Sequence, residues 1–413
     1  MEVKKGYKQT DVGVIPDDWE VKTFKDVCWV NQGLQIAISN RLKNPSLKSK
    51  IYITIQYLNQ GKEVEYIDDY SPSVCCEKHD VLMTRTGNTG IVVSGVEGVF
   101  HNNFFKLNYD KQQLDKDFLI YYLTQKRTQK IILANAGTST IPDLNHNDFY
   151  SIPIYYPPTK TEQTAIANVL NDADALIISL EKLIAKKQNI KQGAMQLLLT
   201  GKKRLPGFIG KWEKMKLPEV CWFQEGPGVR NSQFTSSGVK LLNGTNITSG
   251  KLTLDNTDRY ISDHEAYGIY SHFLANEGDL IIACSGITVE KFHEKVTIIE
   301  KQHLPLCMNT STMRFKVTGK KLSKFYLLWF LKSQSFKSQI GGQITGSAQL
   351  NFGPSHVKKV NIKLPKPDEQ TAIAQVLNDM DAEIEVLEQK LTKYRMIKQR
   401  MMQELLTGKT RLI

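Results

Sequence analysis

One short segment of the sequence, RTGNTG, places polar side chains between glycines. Its Arg85, Asn88 and Thr89 carry hydrogen-bond donors and acceptors, and Gly87 and Gly90 leave room for close backbone approach. Arginine reads guanine and asparagine reads adenine through paired hydrogen bonds in the major groove of DNA. The segment therefore predicts a base-reading loop, although residues of these types more often cap turns.

Polar loops elsewhere in the chain extend this candidate set. GTSTIPDLN follows in the first half, and GQITGSAQLN lies at the corresponding place in the second half. Ser285 matches Thr86 by position and Thr288 matches Thr89, whereas Cys284 replaces the arginine. The candidate DNA-binding residues are Arg85, Thr86, Asn88, Thr89, Thr138, Ser139, Thr140, Asn145, Ser285, Thr288, Gln343, Thr345, Ser347, Gln349 and Asn351.

The net charge also favours a polyanionic partner. The chain has 54 basic and 42 acidic residues, which gives +12, and a pI near 9.2. One cationic run could contact phosphates through counterion release, although a solvated helix face is the more frequent role of such a run. Its residues are Lys186, Lys187, Lys191, Lys202, Lys203 and Arg204.

Composition and motifs argue against several other classes. The six cysteines form no CxxC pair, which fits a reducing cytoplasm, and Cys75, Cys76 and His79 provide one ligand too few for tetrahedral zinc. We therefore expect no metal site. The first residues lack the apolar core of a signal peptide, and no apolar run of about 18 residues predicts a membrane span.

Catalytic signatures are also missing from the sequence. It contains no GxxxxGK[ST] phosphate loop, no GxGxxG at a helix start and no Asn/Asp-Pro-Pro-aromatic tetrapeptide of amino-methyltransferases. Asp368 and Glu388 imitate a nuclease pattern, but 20 helical residues would hold them roughly 30 Å apart. We therefore expect no catalytic residues and no cofactor bound by this chain.

An internal repeat organises the chain. Residues 162–205 and 369–412 are identical at about 28 of 44 positions, at a constant offset of 207. Both copies have the three- and four-residue apolar spacing of long helices, roughly 38 residues each. Thr161 and Asp368 are plausible N-caps, and Gly201 and Gly408 are plausible left-handed C-terminal caps.

The narrow apolar seam of each copy predicts that the two helices pair as an antiparallel coiled coil, rather than each packing only on its own domain. The apolar positions of the first copy also include Val169, Leu183, Ile190, Ala194, Leu197 and Leu198. The predicted seam consists of Ile166, Leu170, Ala173, Ile177, Leu180, Ile184, Ile373, Leu377, Met380, Ile384, Leu387 and Leu391.

The segments before the helices mix strand-like and helical patterns and echo one another, with Trp19, Cys28 and Trp29 repeated at an offset of 193. We therefore predict an α+β fold: two similar target-recognition domains joined by two long helices, with an internal pseudo-two-fold repeat. The predicted boundaries are 1–157 for the first recognition domain, 158–205 for the central helix, 206–364 for the second domain and 365–413 for the C-terminal helix.

The opening YKQTDVGVIPDDWEV, the twin EQTAIA helix starts and the twin LLTGK-x-RL helix ends resemble the specificity subunits of type I restriction–modification systems. The resemblance covers nearly the whole chain. It implies that each variable domain binds one half of an asymmetric, bipartite double-stranded DNA target. It also implies that the paired helices set the gap and dock two methyltransferase subunits, to which restriction subunits are added.

The resemblance further implies that S-adenosylmethionine and ATP are bound only by partner subunits, and that loops equivalent to 85–90 and 137–145 carry base contacts. Two alternatives stay open. One is a stand-alone, two-headed DNA-binding regulator without an enzymatic partner. The other is the recognition part of a fused restriction–methylation polypeptide, which the 413-residue length from Met1 and the absence of catalytic motifs disfavour.

Overall fold

The structure, a computed structural model, describes residues 4–60, 64–137, 140–255, 257–341 and 349–412. The chain divides into two compact units. Unit 1 comprises Met1–Glu181 and Lys390–Ile413, and unit 2 comprises Lys182–Gln389. Each unit contains helices packed on antiparallel and mixed sheets, so the predicted α+β class is confirmed. Each unit also takes residues from both long helices, a division that differs from the predicted boundaries.

Short strands and helices precede the first long helix in unit 1. Its strands are β1 (Tyr7–Thr10), β2 (Gly13–Pro16), β3 (Glu20–Thr23), β4 (Cys28–Gln32), β5 (Lys50–Ile53), β6 (Tyr66–Ile67), β7 (Cys75–Cys76), β8 (Val81–Thr84), β9 (Val92–Val93), β10 (Gly98–Phe100), β11 (Phe104–Tyr109) and β12 (Pro153–Tyr156). Its α-helices are α1 (Phe24–Val27), α2 (Ile55–Gln60), α3 (Lys116–Thr124), α4 (Lys126–Asn135), α5 (His146–Tyr150) and the first part of α6 (Lys160–Leu198).

Unit 1 contains two four-stranded sheets. One has the order β4-β11-β8-β9 and is antiparallel, and the other has the order β6-β5-β10-β7 with a parallel β5–β10 pair. The first sheet buries Phe105 against Phe149 of α5 and joins the same apolar core as Phe118 of α3. Ile166 and Leu170 of α6 belong to this core, so the start of the long helix is part of the domain.

Unit 2 has a related order with differences in its short strands and helices. Its strands are β13 (Glu213–Lys216), β14 (Cys221–Glu225), β15 (Val239–Leu242), β16 (Ile247–Thr248), β17 (Lys251–Leu252), β18 (Tyr260–Ile261), β19 (Leu280–Ala283), β20 (Ile287–Thr288), β21 (Val296–Ile298), β22 (Leu306–Met308), β23 (Thr312–Val317), β24 (Gln349–Leu350) and β25 (Asn361–Leu364). Its α-helices are α7 (Asp263–Tyr267), α8 (Lys324–Lys332), α9 (Gln334–Gly341), α10 (Pro354–Val357) and part of α11 (Pro367–Leu405).

The two larger sheets of unit 2 have related strand orders, although the second has three strands where its counterpart in unit 1 has four. The β14-β23-β19-β21 sheet is antiparallel, and the β18-β15-β22 sheet has a parallel β15–β22 pair. Ile373 and Leu377 of α11 lie in the same core as Phe315 and Trp329. Each α+β domain is therefore completed by the first turns of the long helix that follows it.

The two long helices have 39 residues each, close to the predicted length. Past their ends, Gly201 and Gly408 have φ of +71° and +70°, which confirms the left-handed caps. The predicted N-caps were wrong, because Thr161 and Asp368 lie inside the first turn. In the described part of the chain, no helix is long and apolar enough to cross a membrane.

Within unit 1, α6 and α11 run antiparallel. Lys398 Nζ lies 2.6 Å from Asp174 Oδ1, and an Arg395 guanidinium nitrogen lies 2.6 Å from Glu181 Oε1. The partner residues therefore descend in number along α11 as the residues ascend along α6, which is the pattern of an antiparallel pair. Tyr121 of α3 donates to the same Asp174 at 2.8 Å, which ties the helix pair to the domain.

Within unit 2 the same two helices also pair antiparallel. Lys187 Nζ lies 2.7 Å from Glu383 Oε1, and Lys191 pairs with Asp381. Asn378 accepts a hydrogen bond from the Trp329 indole at 2.9 Å, in the place of the tyrosine contact in unit 1. The predicted seam is buried or partly buried in both units, as the burial of Ile166, Leu170, Ala173, Ile177, Leu180, Ile184, Ile373, Leu377, Met380, Ile384, Leu387 and Leu391 shows.

In unit 1, the repeated EQ dipeptide contacts two segments that are far apart in the sequence. Glu162 is 1% exposed, and the Arg411 guanidinium donates to its Oε2 at 2.7 Å. Gln163 accepts from the Asp115 amide at 2.8 Å and donates to the Gln113 carbonyl at 2.9 Å. One dipeptide therefore anchors the C-terminal segment through its carboxylate and the start of α3 through its amide.

The second copy makes the corresponding contacts in unit 2. The Arg204 guanidinium donates to both carboxylate oxygens of Glu369, at 2.8 and 2.6 Å. Gln370 accepts from Ser323 N and donates to Lys321 O, both at 2.8 Å. The arginine of the LLTGK-x-RL motif at the end of one helix thus holds the glutamate at the start of the other, which explains why the two motifs recur together.

Candidate nucleic-acid interface

The early and late candidate loops of unit 1 lie side by side. Leu144 N donates to Arg85 O at 2.8 Å, and Gly87 N donates to Pro142 O at 3.3 Å. The Thr89 hydroxyl also donates to Pro142 O, at 2.8 Å. Loops that are about 55 residues apart in sequence thus form one surface at the end of β8.

Arg85 holds these loops together. Its guanidinium contacts Asp143 Oδ1 at 2.8 Å, its Nε donates to the Leu144 carbonyl at 3.2 Å, and it stacks over Phe105 at 5.4 Å from the ring centre. Thr86 donates to the same Asp143 carboxylate. Since the Arg85 side chain is only 13% exposed, most of its bonding capacity serves the loop junction.

The remaining unit 1 candidates divide by exposure. Asn88 and Thr140 are exposed, whereas Thr89 is buried. Asn145 is the N-cap of α5, and its Oδ1 accepts from Asp148 N at 2.9 Å. The side chains most available to a ligand are therefore those of Asn88 and Thr140.

Unit 2 joins its two candidate loops in a different way. Asn351 Oδ1 accepts from Gly286 N at 2.7 Å and from the Ser285 hydroxyl at 3.0 Å. Thr288 and Gln349 pair across the β20–β24 ladder, and both are exposed. Five further candidates lie outside the described residues: Thr138, Ser139, Gln343, Thr345 and Ser347.

A polar, open cleft continues from this junction. Its wall includes Ser285 and Gly286. Beyond them the cleft is lined by side chains that the sequence analysis missed: Asn243, Thr245, Arg259, Lys295, Thr310 and Ser311. They come from separate loops that no shared motif marks, so only the fold brings them together.

Cations and amides give the cleft its chemistry. Arg259 is exposed and stacks over Phe234 at 5.5 Å. Lys295 donates to the Ile247 carbonyl at 2.6 Å, and burial lowers the pKa of its ammonium group. Asn309 donates to Asn243 Oδ1 at 3.0 Å. Cationic side chains suit DNA phosphates, which present hydrogen-bond acceptors. Amide side chains suit base edges, which present both donors and acceptors.

Half of the helix cations proposed as phosphate contacts have partners inside unit 2. Lys187, Lys191 and Arg204 pair with the carboxylates described above. Lys186, Lys202 and Lys203 are exposed. The paired cations therefore form ion pairs that join α6, or the segment after it, to α11 in unit 2.

The described thiols are poor nucleophiles. Burial raises the pKa of Cys28 and of Cys284 to about 12, so both stay protonated near neutral pH. Among residues 4–60, 64–137, 140–255, 257–341 and 349–412, no three His, Cys, Asp or Glu side chains lie close enough to hold a metal ion. The candidate surface offers hydrogen bonds and positive charge.

Comparison with known proteins agrees with this geometry. The family described as type I restriction modification DNA specificity domain matches twice, at residues 16–192 and 209–393. The type I restriction enzyme MjaVIII specificity subunit of Methanocaldococcus jannaschii is 27% identical over 408 residues, covering 96% of this chain and 94% of that one.

Solved structures share the fold. The type I restriction–modification S subunit from M. genitalium has a TM-score of 0.56 at 15% identity, with 98% of both chains covered. A chain from a study of complex assembly and conformational transition of the type I R-M system has a TM-score of 0.61 at 17% identity, covering 96% of this chain and 99% of that one. With its two matched domains, the chain belongs to the family of type I restriction–modification DNA specificity subunits.

Proposed function

We propose that each unit binds one half of an asymmetric, bipartite double-stranded DNA target. The observation that carries this proposal is the junction of early and late polar loops in both units, built from different side chains. In unit 1 the Asp143 carboxylate pairs with the Arg85 guanidinium, whereas in unit 2 the Asn351 amide oxygen accepts a hydrogen bond from the Ser285 hydroxyl. A shared frame with different exposed groups suits the reading of two different half-sites.

The long helices set the distance between the half-sites in this proposal. A helix of 39 residues rises about 58 Å, more than the roughly 34 Å of one DNA turn. Paired helices resist bending in a way that a flexible linker does not. Both helices contribute residues to both units, so a change in their pairing would reach both DNA-binding surfaces.

The chain acts without chemistry of its own in this proposal. Two methyltransferase subunits dock on the helices and restriction subunits join them in the cytoplasm, with S-adenosylmethionine and ATP bound by those partners. The absence of catalytic signatures from the whole sequence supports this division of labour. A stand-alone DNA-binding regulator, the alternative function, would need no methyltransferase partner.

Mapping of methylated adenines by sequencing tests the proposal. Host DNA should lose one bipartite motif when the gene is deleted, and Arg259→Ala with Ser285→Ala should alter only the half read by unit 2. Lys320→Ala, at an exposed residue of the same unit, is the control and should leave the motif unchanged. Unchanged methylation after deletion would contradict the assignment, and methylation by the purified chain with S-adenosylmethionine alone would contradict the lack of catalysis.

A further inference from the structure

A cationic cleft lies in unit 1 where α4 begins. The turn between α3 and α4 forms one wall, and the last turns of α11 with the segment after them form the other. The cleft has a volume of about 420 Å³, which lies in the range of small-molecule sites. Its wall includes Gln125 and five cationic side chains: Lys126, Arg127, Arg395, Lys398 and Lys409. It is termed the α4 cleft.

The cationic groups of the α4 cleft are only partly compensated. Arg395 and Lys398 pair with the carboxylates described above. Lys126 and Lys409 are exposed, and neither forms an ion pair with any residue that the structure describes. Glu404 provides the one carboxylate in the wall. The cleft therefore has an excess of positive charge.

Arg127 adds a third cation that no carboxylate neutralises in the described part of unit 1. Its guanidinium donates to the Val12 carbonyl and stacks over the Tyr155 ring at 5.6 Å from the ring centre. Both contacts fix the position of the side chain, and neither brings a negative charge to it. An anion in the cleft would meet an arginine that is already in place.

The start of α4 offers backbone donors to the same cleft. The helix has ten residues, and the amides of its first turn, Lys126 to Thr128, have no acceptor within the helix. Gln125 is the N-cap residue, but its side chain makes no capping hydrogen bond. Free amides and the helix dipole together attract an anion to such a helix end.

Gln125 has an unused donor of its own. The residue is 5% exposed and lines the cleft, and its Nε2 has no hydrogen-bond partner among the residues described. A buried donor without an acceptor costs free energy. An oxygen of a bound anion would supply the acceptor that the protein does not.

The corresponding helix of unit 2 is capped by its own sequence. α9 follows α8 as α4 follows α3, and the residue between them is Ser333. The Ser333 hydroxyl accepts from Phe336 N at 3.2 Å. Glutamine and serine, at positions 334 and 335, stand where α4 begins with lysine and arginine. The features that favour an anion are therefore confined to unit 1.

From these observations we infer that the α4 cleft binds a phosphate group. Its oxygens accept hydrogen bonds from the first-turn amides of α4 and from Gln125, and its charge is balanced by Lys126, Arg127 and Lys409. Phosphate suits the cleft because it combines several acceptor oxygens with a concentrated negative charge. The inference goes beyond the proposed function, since neither candidate loop of unit 1 lines the cleft. Free phosphate compounds and the DNA backbone both carry this chemistry, and the experiment distinguishes these sources.

Titration of the full-length chain with inorganic phosphate tests the inference by calorimetry, with chloride adjusted to keep the ionic strength constant. Lys126→Gln combined with Lys409→Gln should weaken the tightest phosphate binding at least ten-fold. Lys130→Gln combined with Lys202→Gln is the matched control and should change it less than two-fold. Lys130 is an exposed residue of α4 outside the cleft, and Lys202 is the exposed counterpart of Lys409 in unit 2.

Gln125→Ser gives α4 the cap residue of α9. The serine hydroxyl accepts from a first-turn amide and competes with the anion for it. This variant should bind phosphate at least five-fold more weakly, while the thermal unfolding midpoint of the phosphate-free chain is unchanged or raised. Absence of phosphate binding by the wild type, or wild-type affinity in the double lysine variant, would overturn the inference.

A second titration, on the chain saturated with duplex DNA that carries the mapped motif, identifies the source of the phosphate. Persistence of phosphate binding assigns the cleft to a free phosphate compound. Loss of phosphate binding, together with at least three-fold weaker DNA binding by the double lysine variant, assigns the cleft to the DNA backbone. Absence of a bipartite motif would contradict the proposed function and leave the result of the phosphate titration unaffected.

Discussion

Single side chains in the candidate loops divide into those that hold the loops together and those that are exposed. Arg85 has the type of a guanine reader, yet its contacts with Asp143, Leu144 and Phe105 fasten two loops. Asn88 lies at the exposed tip of the same loop. Residue type therefore did not distinguish the side chains that join the loops from those that are exposed.

This division gives a paired prediction. Arg85→Ala should lower the free energy of unfolding by about 2 kcal/mol, because it leaves a carboxylate and a carbonyl without their donor. Asn88→Ala should change unfolding by less than about 0.5 kcal/mol, as surface substitutions usually do, yet weaken binding to the methylated motif. Urea unfolding and DNA-binding titrations measure the two effects. The same loss of stability in both variants would contradict the assignment.

At the scale of helices, residues that are identical in both copies of the repeat join the start of one long helix to the segment that follows the end of the other long helix. The Glu162 carboxylate is buried and receives the Arg411 guanidinium, and Glu369 receives Arg204 in the same way. Solvent-exposed helix pairs such as Glu181 with Arg395 add contacts that water screens. The buried pairs therefore contribute more to the stability of the helix ends.

Glu162→Gln tests this ranking. The substitution removes a charge-assisted pair at a buried position and should lower the free energy of unfolding by about 2 kcal/mol. Glu181→Gln, which removes an exposed carboxylate from the same helix, should lower it by less than about 0.5 kcal/mol. Urea unfolding followed by tryptophan fluorescence measures both. The ranking is wrong if the exposed site proves the more costly one.

At the scale of the whole molecule, each compact unit is assembled from distant parts of the chain. The core that contains Phe105 and Ile166 also contains Leu405 and Leu406, almost at the C-terminus. The predicted boundary at 157 cuts through this core, and the one at 205 cuts through the core of unit 2, which contains both Leu199 and Leu217. A recognition domain without the far helix segment exposes apolar surface that the intact chain buries.

Residues 1–181 expressed alone should therefore be unfolded or aggregated, because the apolar partners Leu405 and Leu406 are missing. Co-expression with residues 390–413 fused to a soluble carrier should recover a soluble complex, measured by co-purification and circular dichroism. A carrier bearing the same segment with both leucines changed to aspartate is the control and should fail to recover it. Cooperative folding of residues 1–181 alone would disprove the composite core.

Periodicity and repetition determined the two long helices, their antiparallel pairing and the two-domain plan, since helix period and apolar seams are local properties of the sequence. The positions of Gly201 and Gly408 likewise marked the helix ends, because a left-handed residue needs no distant partner. The cleft around Arg259 and Lys295, the loop-joining role of Arg85 and the exposure of Leu183, Ile190 and Leu197 were decided only by tertiary structure. Each of these depends on which distant segments pack together, and an apolar residue or an arginine carries no local mark of whether a neighbour will cover it.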